Sequence, residues 1–437
     1  MPPSQDFTAY RDQRLTSVPA NELCAGIDSK TVVIVEDGAL IQDKTAYISR
    51  RSNEMLRIFR DQLSRPLSIK YQTRAANAAE YSDICKSSFV LLPPEDMGRT
   101  RLPPLLASRL ISRTFHQMVA SAGLLYVRMP SWVGAAFAAM AAATKTPLLV
   151  SVHGNWGQAY EAVASDLAKS ASRRRLAELQ ARHAEGVTRK LCRQSIANFF
   201  VGATLRDHYS PGHSKPEFTF ANFLLTEKDR LPAEQLERRL HGAEPRPFRI
   251  IFVGQFSSRK GLGPFLKAAE ALYQEGLDLE VILVGEGELA AQFPTLAPRL
   301  TAEARVKNRG YIPYGPELLA TYLEADVFVL PSVGGEGVPK VVAEAMARGL
   351  PVVATDVGST GELVKHNTTG LLVPPGSSPA LKAAISSLAS DQGLRRGLAK
   401  AGWEASKTMT NDVQRRSIWE ALHSIAPHVT VQEAVVQ

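Results

Sequence analysis

Four unbroken apolar runs, Ile250 to Val253, Val281 to Val284, Val327 to Leu330 and Val352 to Ala354, punctuate the second half of the chain. A strand with one wet face alternates apolar and polar residues. A continuous run marks a strand covered on both faces, as in a parallel sheet flanked by helices. After the first run, Leu262, Phe265, Leu266, Ala269 and Leu272 recur at helical spacing. Ser378 followed by Pro379 reads as an N-cap and first-turn pair opening a further helix. Strands and helices in this alternation predict a doubly wound α/β domain over 248–408.

A length of 437 residues calls for a second domain. Val32 to Val35, Leu124 to Val127 and Leu148 to Val152 read as strands, so 1–230 is expected to share the α/β layer class. The stretch 231–247 is charged, contains Pro232, Pro245 and Pro247, and is read as a linker. Within 409–437, Asn411 to Ile425 reads as a helix followed by a tail. Hydrophobic residues at 45% and charged residues at 22% exclude a disordered or collagen-like chain. Cys24, Cys85 and Cys192 form no C-x-x-C pair, and Met1 to Tyr10 lacks a basic segment followed by an apolar one. A cytoplasmic setting is therefore expected. Trp132 to Ala143, mostly alanine, is too short to span a bilayer and reads as a buried helix.

The net charge of +8 has one source: residues 101–200 hold 13 Lys and Arg against 4 Asp and Glu. Arg173, Arg174, Arg175, Arg182, Arg189, Lys190 and Arg193 lie on a stretch with amphipathic helical character. Such a run is either a solvated helix face or a site of attraction to anionic headgroups, as at the inner face of the plasma membrane. Nucleic acid is not expected as a partner, since the segment shows no binding motif and no alternation of aromatics and cations.

In an open parallel sheet, ligands bind beyond the carboxyl ends of the strands. After Leu330 the chain runs through Gly334, Gly335, Glu336, Gly337, Val338 and Pro339 into a helical segment carrying Glu344. Glycines let a ligand approach the backbone, and a helix start attracts phosphate. Glu344 lies about 7.5 Å along the helix, at five residues of 1.5 Å rise. Carboxylates accept hydrogen bonds from vicinal hydroxyls but repel phosphate. The pattern thus points to a phosphate with hydroxyl-bearing rings on either side.

Three other strand ends are informative. Gly254-Gln255-Phe256-Ser257-Ser258-Arg259-Lys260-Gly261 brings two adjacent cations suited to a diphosphate. Gly285-Glu286-Gly287-Glu288-Leu289-Ala290 reads G-x-G-x-x-A, a weak dinucleotide fingerprint. Ser151-Val152-His153-Gly154 ends a strand of the first half.

The run E-G-V-P-K-V-V-A-E-A-M-A-R-G-L-P-V-V-A-T, Glu336 to Thr355, resembles the E-x7-E region of family-four GT-B glycosyltransferases, the glycosyl transferases group 1 type. The likeness continues through Gly358 to Val364 and Thr369 to Val373, and spans nearly all of 249–390. It implies two Rossmann-like domains facing across a cleft, with the acceptor on the first and the nucleotide-sugar donor on the second. It implies retaining transfer to a glycan or lipid-linked hydroxyl, as in surface polysaccharide assembly. Glu336 is then expected at the transferred sugar and Glu344 at the ribose, with Gly337, Val338 and Pro339 along the donor. Lys260 matches the family's diphosphate lysine. Gln255 replaces the usual arginine beside Gly254, so either Arg259 substitutes or the leaving group is less stabilised. Gly285 is expected near the nucleotide, and Tyr311 and Ile312 at the base, where the alternative is an ordinary strand. His153 is expected to orient a hydroxyl. Glu36 to Lys44 is a candidate acceptor loop, in which only Gly38 stands where relatives have paired glycines. The final helix is expected to cross back to the first domain.

No D-x-D, G-x-x-x-x-G-K-[ST] or H-E-x-x-H occurs, so no metal and no cofactor are expected besides the donor substrate. The rival readings are a nucleotide-dependent oxidoreductase or sugar-nucleotide epimerase, and an inactive GT-B scaffold.

Overall fold

The computed structural model describes residues 28–42, 45–48, 65–72, 89–91, 109, 111, 113–157, 171–210, 212, 215–241, 246–334 and 336–430. The chain divides into two compact units: one of residues 1–201, 205–220 and 415–437, the other of 202–204 and 221–414.

In the first unit, β1 (Thr31–Gln42), β2 (Thr45–Ile48), β3 (Arg65–Gln72), β4 (Phe89–Leu91), β5 (Leu124–Met129), β6 (Leu148–Val152), β7 (Ala197–Val201) and β8 (Glu217–Phe220) form one sheet. Its order is β4-β3-β1-β5-β6-β7-β8, all parallel, with β2 antiparallel on β1. Of the expected acceptor loop at 36–44, residues 36–42 are instead strand, and 43–44 lie outside the described residues. β1 continues to Gln42, with a register shift between Asp37 and Ala39, and pairs with β2. An irregularity of this kind lets a strand bend and run on past its apolar core segment. Helices α1 (Arg113–Ser121), α2 (Trp132–Thr144) and α3 (Ala171–Gln194) belong to this unit. α2 is apolar on all sides and buried, as its alanines allow, with Ser131 accepting from the Gly134 N–H at 2.9 Å as N-cap. Burial pushes the Cys192 thiol up to about 12. Cys24 and Cys85 lie outside the described residues.

The second unit carries β9 (Phe248–Val253), β10 (Leu279–Val284), β11 (Val306–Asn308), β12 (Val327–Leu330), β13 (Val352–Thr355) and β14 (Leu371–Val373) in a parallel sheet of order β11-β10-β9-β12-β13-β14. Successive residues of each strand serve opposite faces. Ile250 and Phe252 join one core with Phe265 and Leu266, whereas Ile251 and Val253 join another with Tyr322 and Met346. Two covered faces are what the continuous apolar runs require.

The expected linker at 231–247 proves structured over 231–241, while 242–245 lie outside the described residues. α4 (Ala203–Tyr209) precedes it, and α5 (Ala233–His241) occupies its centre. Leu231 and Leu236 pack with Trp403, and the Arg239 guanidinium donates to the carbonyls of Leu323, Ala325 and Gly349. Pro232 sits where a helix starts, so it opens α5 instead of breaking it.

Further along are α6 (Leu262–Gln274), α7 (Pro316–Tyr322), α8 (Lys340–Ala347), α9 (Ser378–Ser390), α10 (Gln392–Ala405) and α11 (Asn411–Ile425). The α9 N-cap is Ser377, one residue before the expected Ser378; its hydroxyl accepts from Ala380 N–H at 3.2 Å. The first four residues of α11 group with the second unit and the rest with the first.

Candidate active site

The strand order of the second sheet reverses between β9 and β12: the chain steps outward through β10 and β11 on one side, then through β13 and β14 on the other. Loops leaving two such strands diverge and open a crevice at their carboxyl ends, the usual ligand position in this architecture. They are the Gly254 to Gly261 and Pro331 to Pro339 segments.

Backbone bonds tie them together. The N–H of Val333 donates to the Arg259 carbonyl at 2.9 Å, and a Cβ on Gly261, whose φ is +69°, would lie 1.8 Å from the Pro331 carbonyl oxygen. Only glycine permits that approach. Gly254 N–H donates to Val284 O at 2.9 Å, Phe256 N–H to Glu286 O at 2.7 Å, and Gly285 N–H to Gly310 O at 2.8 Å. Four strand-end loops therefore form one connected rim.

Across this rim, Lys260 Nζ lies 2.6 Å from Glu336 Oε1, and the Ser332 hydroxyl donates to the same oxygen. Glu336 Oε2 accepts no hydrogen bond from the described residues, which leaves it an acceptor. Glu336 and Ser332 are buried, Lys260 is half-buried, and Arg259 and Gln255 are exposed.

Glu344, in the second turn of α8, is buried and accepts from Tyr322 Oη at 2.9 Å through Oε2. Burial raises its carboxyl from 4.5 to about 7, opposed by the Tyr322 hydrogen bond and by Lys340, and reinforced by Asp229. Asp229 in turn accepts from Tyr314 Oη at 2.9 Å. Ile312 and Val338 pack on the core cluster that contains Tyr322 and Ala343, whereas Tyr311 is 60% exposed. Tyr311 and Ile312 follow β11 in irregular backbone, not in the alternative strand. Pro339 is the N-cap of α8, and Gly337 is exposed just ahead of it.

The structure thus gathers Gly254, Lys260, Gly285 and Glu336 on one rim, with Glu344 in the helix that follows it. Gln255 and Arg259 lie on the same loop and are exposed. Gly285 to Ala290 leads into a 3-10 turn, Glu288–Gln292, and not into the helix that a dinucleotide fingerprint needs to hold pyrophosphate. Among the described residues, no three His, Cys, Asp or Glu side chains gather as a metal site.

Ser332 and Tyr322 were not expected from the sequence. Tyr322 reaches Glu344 from α7, 22 residues away, and no local pattern marks that contact. Ser332, four residues from Glu336, stands in the motif as an ordinary polar residue.

In the first unit, His153 Nε2 lies 2.9 Å from Ser151 Oγ, and its backbone N–H donates to Met129 O at 2.8 Å. Its ring meets Phe220 edge-on at 5.5 Å. The strand order here reverses between β1 and β5, so His153 adjoins the end of one of the two central strands.

Residues 234–404 match the family model for glycosyl transferases group 1. The amylovoran biosynthesis glycosyltransferase AmsK of Erwinia amylovora is 35% identical over 217 residues, covering 43% of this chain and 53% of that protein. The putative colanic acid biosynthesis glycosyltransferase WcaL of Escherichia coli is 35% identical over 158 residues, 34% of this chain and 39% of that one. The chain spans about half the length of the first of these relatives and less of the second. Among solved structures, Anabaena HepE in complex with UDP superposes with a TM-score of 0.62 at 18% identity, covering 90% of this chain and all (100%) of that one. The lipopolysaccharide outer core galactosyltransferase WaaB gives 0.63 at 11%, over 90% and 99%. The fold is that of GT-B glycosyltransferases.

Proposed function

We propose, from the premise that residues 234–404 belong to the glycosyl transferases group 1 family, that the protein is a retaining glycosyltransferase acting in surface polysaccharide or glycoconjugate assembly. It moves a sugar from a nucleoside-diphosphate donor to a hydroxyl of a glycan or lipid-linked acceptor. The observation that carries this reading is the pairing of Lys260 with Glu336 at the strand-order reversal, with buried Glu344 beyond it.

Lys260 supplies the positive charge that a departing diphosphate needs as the glycosidic bond breaks. Glu336, freed from Lys260 when phosphate takes the ammonium, turns both oxygens to sugar hydroxyls. Glu344 holds the ribose, and the backbone of Tyr311 and Ile312, with Gly285, flanks the base. Gly337, Val338 and Pro339 border the sugar and phosphates. Arg259 provides the second cation that Gln255 does not. The acceptor hydroxyl attacks from the face the leaving group vacates, so configuration is kept with no side chain as nucleophile. No metal or further cofactor takes part. The acceptor lies on the first unit, oriented by His153. We place the enzyme on the cytoplasmic side, in peripheral contact with anionic membrane through residues 101–200, whose net charge is +9.

The test is product stereochemistry. Purified protein is incubated with common nucleotide sugars, beginning with UDP-glucose, which a solved relative in fold was crystallised with, and an acceptor panel. Nuclear magnetic resonance of the new glycoside should show the donor's own anomeric configuration. An inverted product, or hydride transfer to nicotinamide in place of glycoside, defeats the reading.

A further inference from the structure

Helix α3 buries one face and leaves the other bare. At 3.6 residues per turn, Ala181, Ala184, Thr188, Leu191 and Cys192 fall within about 100° of arc, and all are buried. Within about 80° on the opposite side lie Arg175, Leu179, Arg182, Gly186, Lys190 and Arg193, all exposed. None of these four cations forms an ion pair or side-chain hydrogen bond among the described residues. Arg189, at the edge of this arc, is instead held by the His208 carbonyl and ring, and Glu178 and Glu185 also lie outside it. The outer face is therefore a cationic stripe some 27 Å long, at 1.5 Å per residue, with no acid in it.

One residue in the stripe is apolar. Leu179 is 63% exposed, the largest exposure of any big hydrophobic side chain among the described residues. Beside it, His183 stacks at 6.0 Å on half-buried Trp132, which itself contacts Trp156 at 5.1 Å. Cations flanking an exposed leucine, with a tryptophan at the edge, match the layering of a bilayer surface: charge at the headgroups, indole at the interface and aliphatic side chain below. A nucleic acid or a soluble polyanion uses the cations but gains nothing from Leu179.

We infer that the outer face of α3 docks the protein on a bilayer containing anionic lipid. This deepens the membrane contact proposed above by assigning it a surface, and it rests on that reading only for its purpose. Trp132 opens α2 directly after β5, so the His183 end of the stripe borders the same carboxyl edge of the sheet as His153, while Lys190 and Arg193 run toward the amino edge, where β7 begins. Docking there brings a lipid-linked acceptor's headgroup to that edge.

The experiment is flotation of the full chain with phosphatidylcholine vesicles, with and without phosphatidylglycerol, in the absence of donor. Each cation near the surface strengthens binding about fivefold. Arg182→Glu with Lys190→Glu should therefore lower partitioning to the anionic vesicles well over tenfold. Lys267→Glu with Lys307→Glu, an equal charge change on the second unit, should alter it less than twofold. Leu179→Ser should weaken binding severalfold with no change in charge. Circular dichroism and the thermal midpoint show that each variant is folded, and Arg182→Gln with Lys190→Gln gives a milder loss of the same sign. The inference is overturned if wild type prefers neither vesicle, or if both charge-reversed pairs behave alike. It is equally overturned if Leu179→Ser binds as wild type or if dextran sulfate is bound and vesicles are not. Nucleotide binding, read separately, reports on the donor site, so failure of the docking surface and failure of the transferase reading are distinct results.

Discussion

Lys260 Nζ sits 2.6 Å from Glu336 Oε1, joining the loops that follow the two central strands of the second sheet. The contact has a structural and a chemical side, and they separate by mutation. Lys260→Met leaves a buried carboxylate unpaired, which costs about 3 kcal/mol. Lys260→Met with Glu336→Gln removes both charges and should recover most of that loss in a thermal melt. Turnover should stay reduced by at least about 100-fold in both. Recovery of turnover together with stability would show the pair to be a structural clamp.

The Glu344 carboxyl, raised from 4.5 to about 7 by burial, makes stability depend on pH. The folded protein holds a proton here that the unfolded chain releases above 4.5. This group's contribution to folding is fully present below pH 4.5 and is lost as pH rises through 7. The whole shift corresponds to about 3 kcal/mol. Glu344→Gln, always neutral and still able to accept from Tyr322, should melt close to wild type at pH 5 and several degrees higher at pH 8. Equal midpoints at pH 8 would mean that the carboxylate is not desolvated.

Two glycines hold the rim closed. Gly261 at φ +69° abuts the Pro331 carbonyl, and Gly358 at φ +56° abuts the Glu336 carbonyl, with a built Cβ falling at 1.8 and 1.9 Å. Either substitution to alanine must displace a loop. Gly261→Ala and Gly358→Ala should each lower donor affinity at least about tenfold, at roughly 1.4 kcal/mol per decade, and destabilise the protein. Wild-type affinity in a folded Gly358→Ala would show that the Glu336 loop tolerates movement.

His153, bonded to Ser151 and backed by Phe220, is assigned to the acceptor and not the donor. His153→Ala should leave nucleotide affinity within about twofold and lower transfer by about 10- to 100-fold. Loss of nucleotide binding in this variant would move His153 to the donor side.

The parallel sheet of the second unit was legible because continuous apolar runs are a strong signal when both strand faces are covered. Glu336, Glu344 and Lys260 were legible because they share a contiguous motif or a single strand-end loop. Their partners were less so. Ser332 and Tyr322 act through folded contacts that no periodicity encodes. The 231–247 stretch misled because its prolines and charges resemble a linker, while a few leucines, Leu231, Leu236 and Leu240, carry its packing around Trp403. The candidate acceptor loop misled for the opposite reason: Glu36, Asp37 and Gly38, inside a strand that runs on to Gln42, look like a loop.

The proposed donor site lies at the carboxyl ends of β9 and β12. Calorimetric titration of nucleotide sugars, UDP-glucose first, into wild type, Glu344→Ala and Lys260→Met tests it most directly. Wild type is expected to bind at least one donor one-to-one, with binding weakened at least about tenfold in each variant, or roughly 1.4 kcal/mol. Binding of no nucleotide sugar by the folded wild type, or undiminished binding by both folded variants, would contradict this placement.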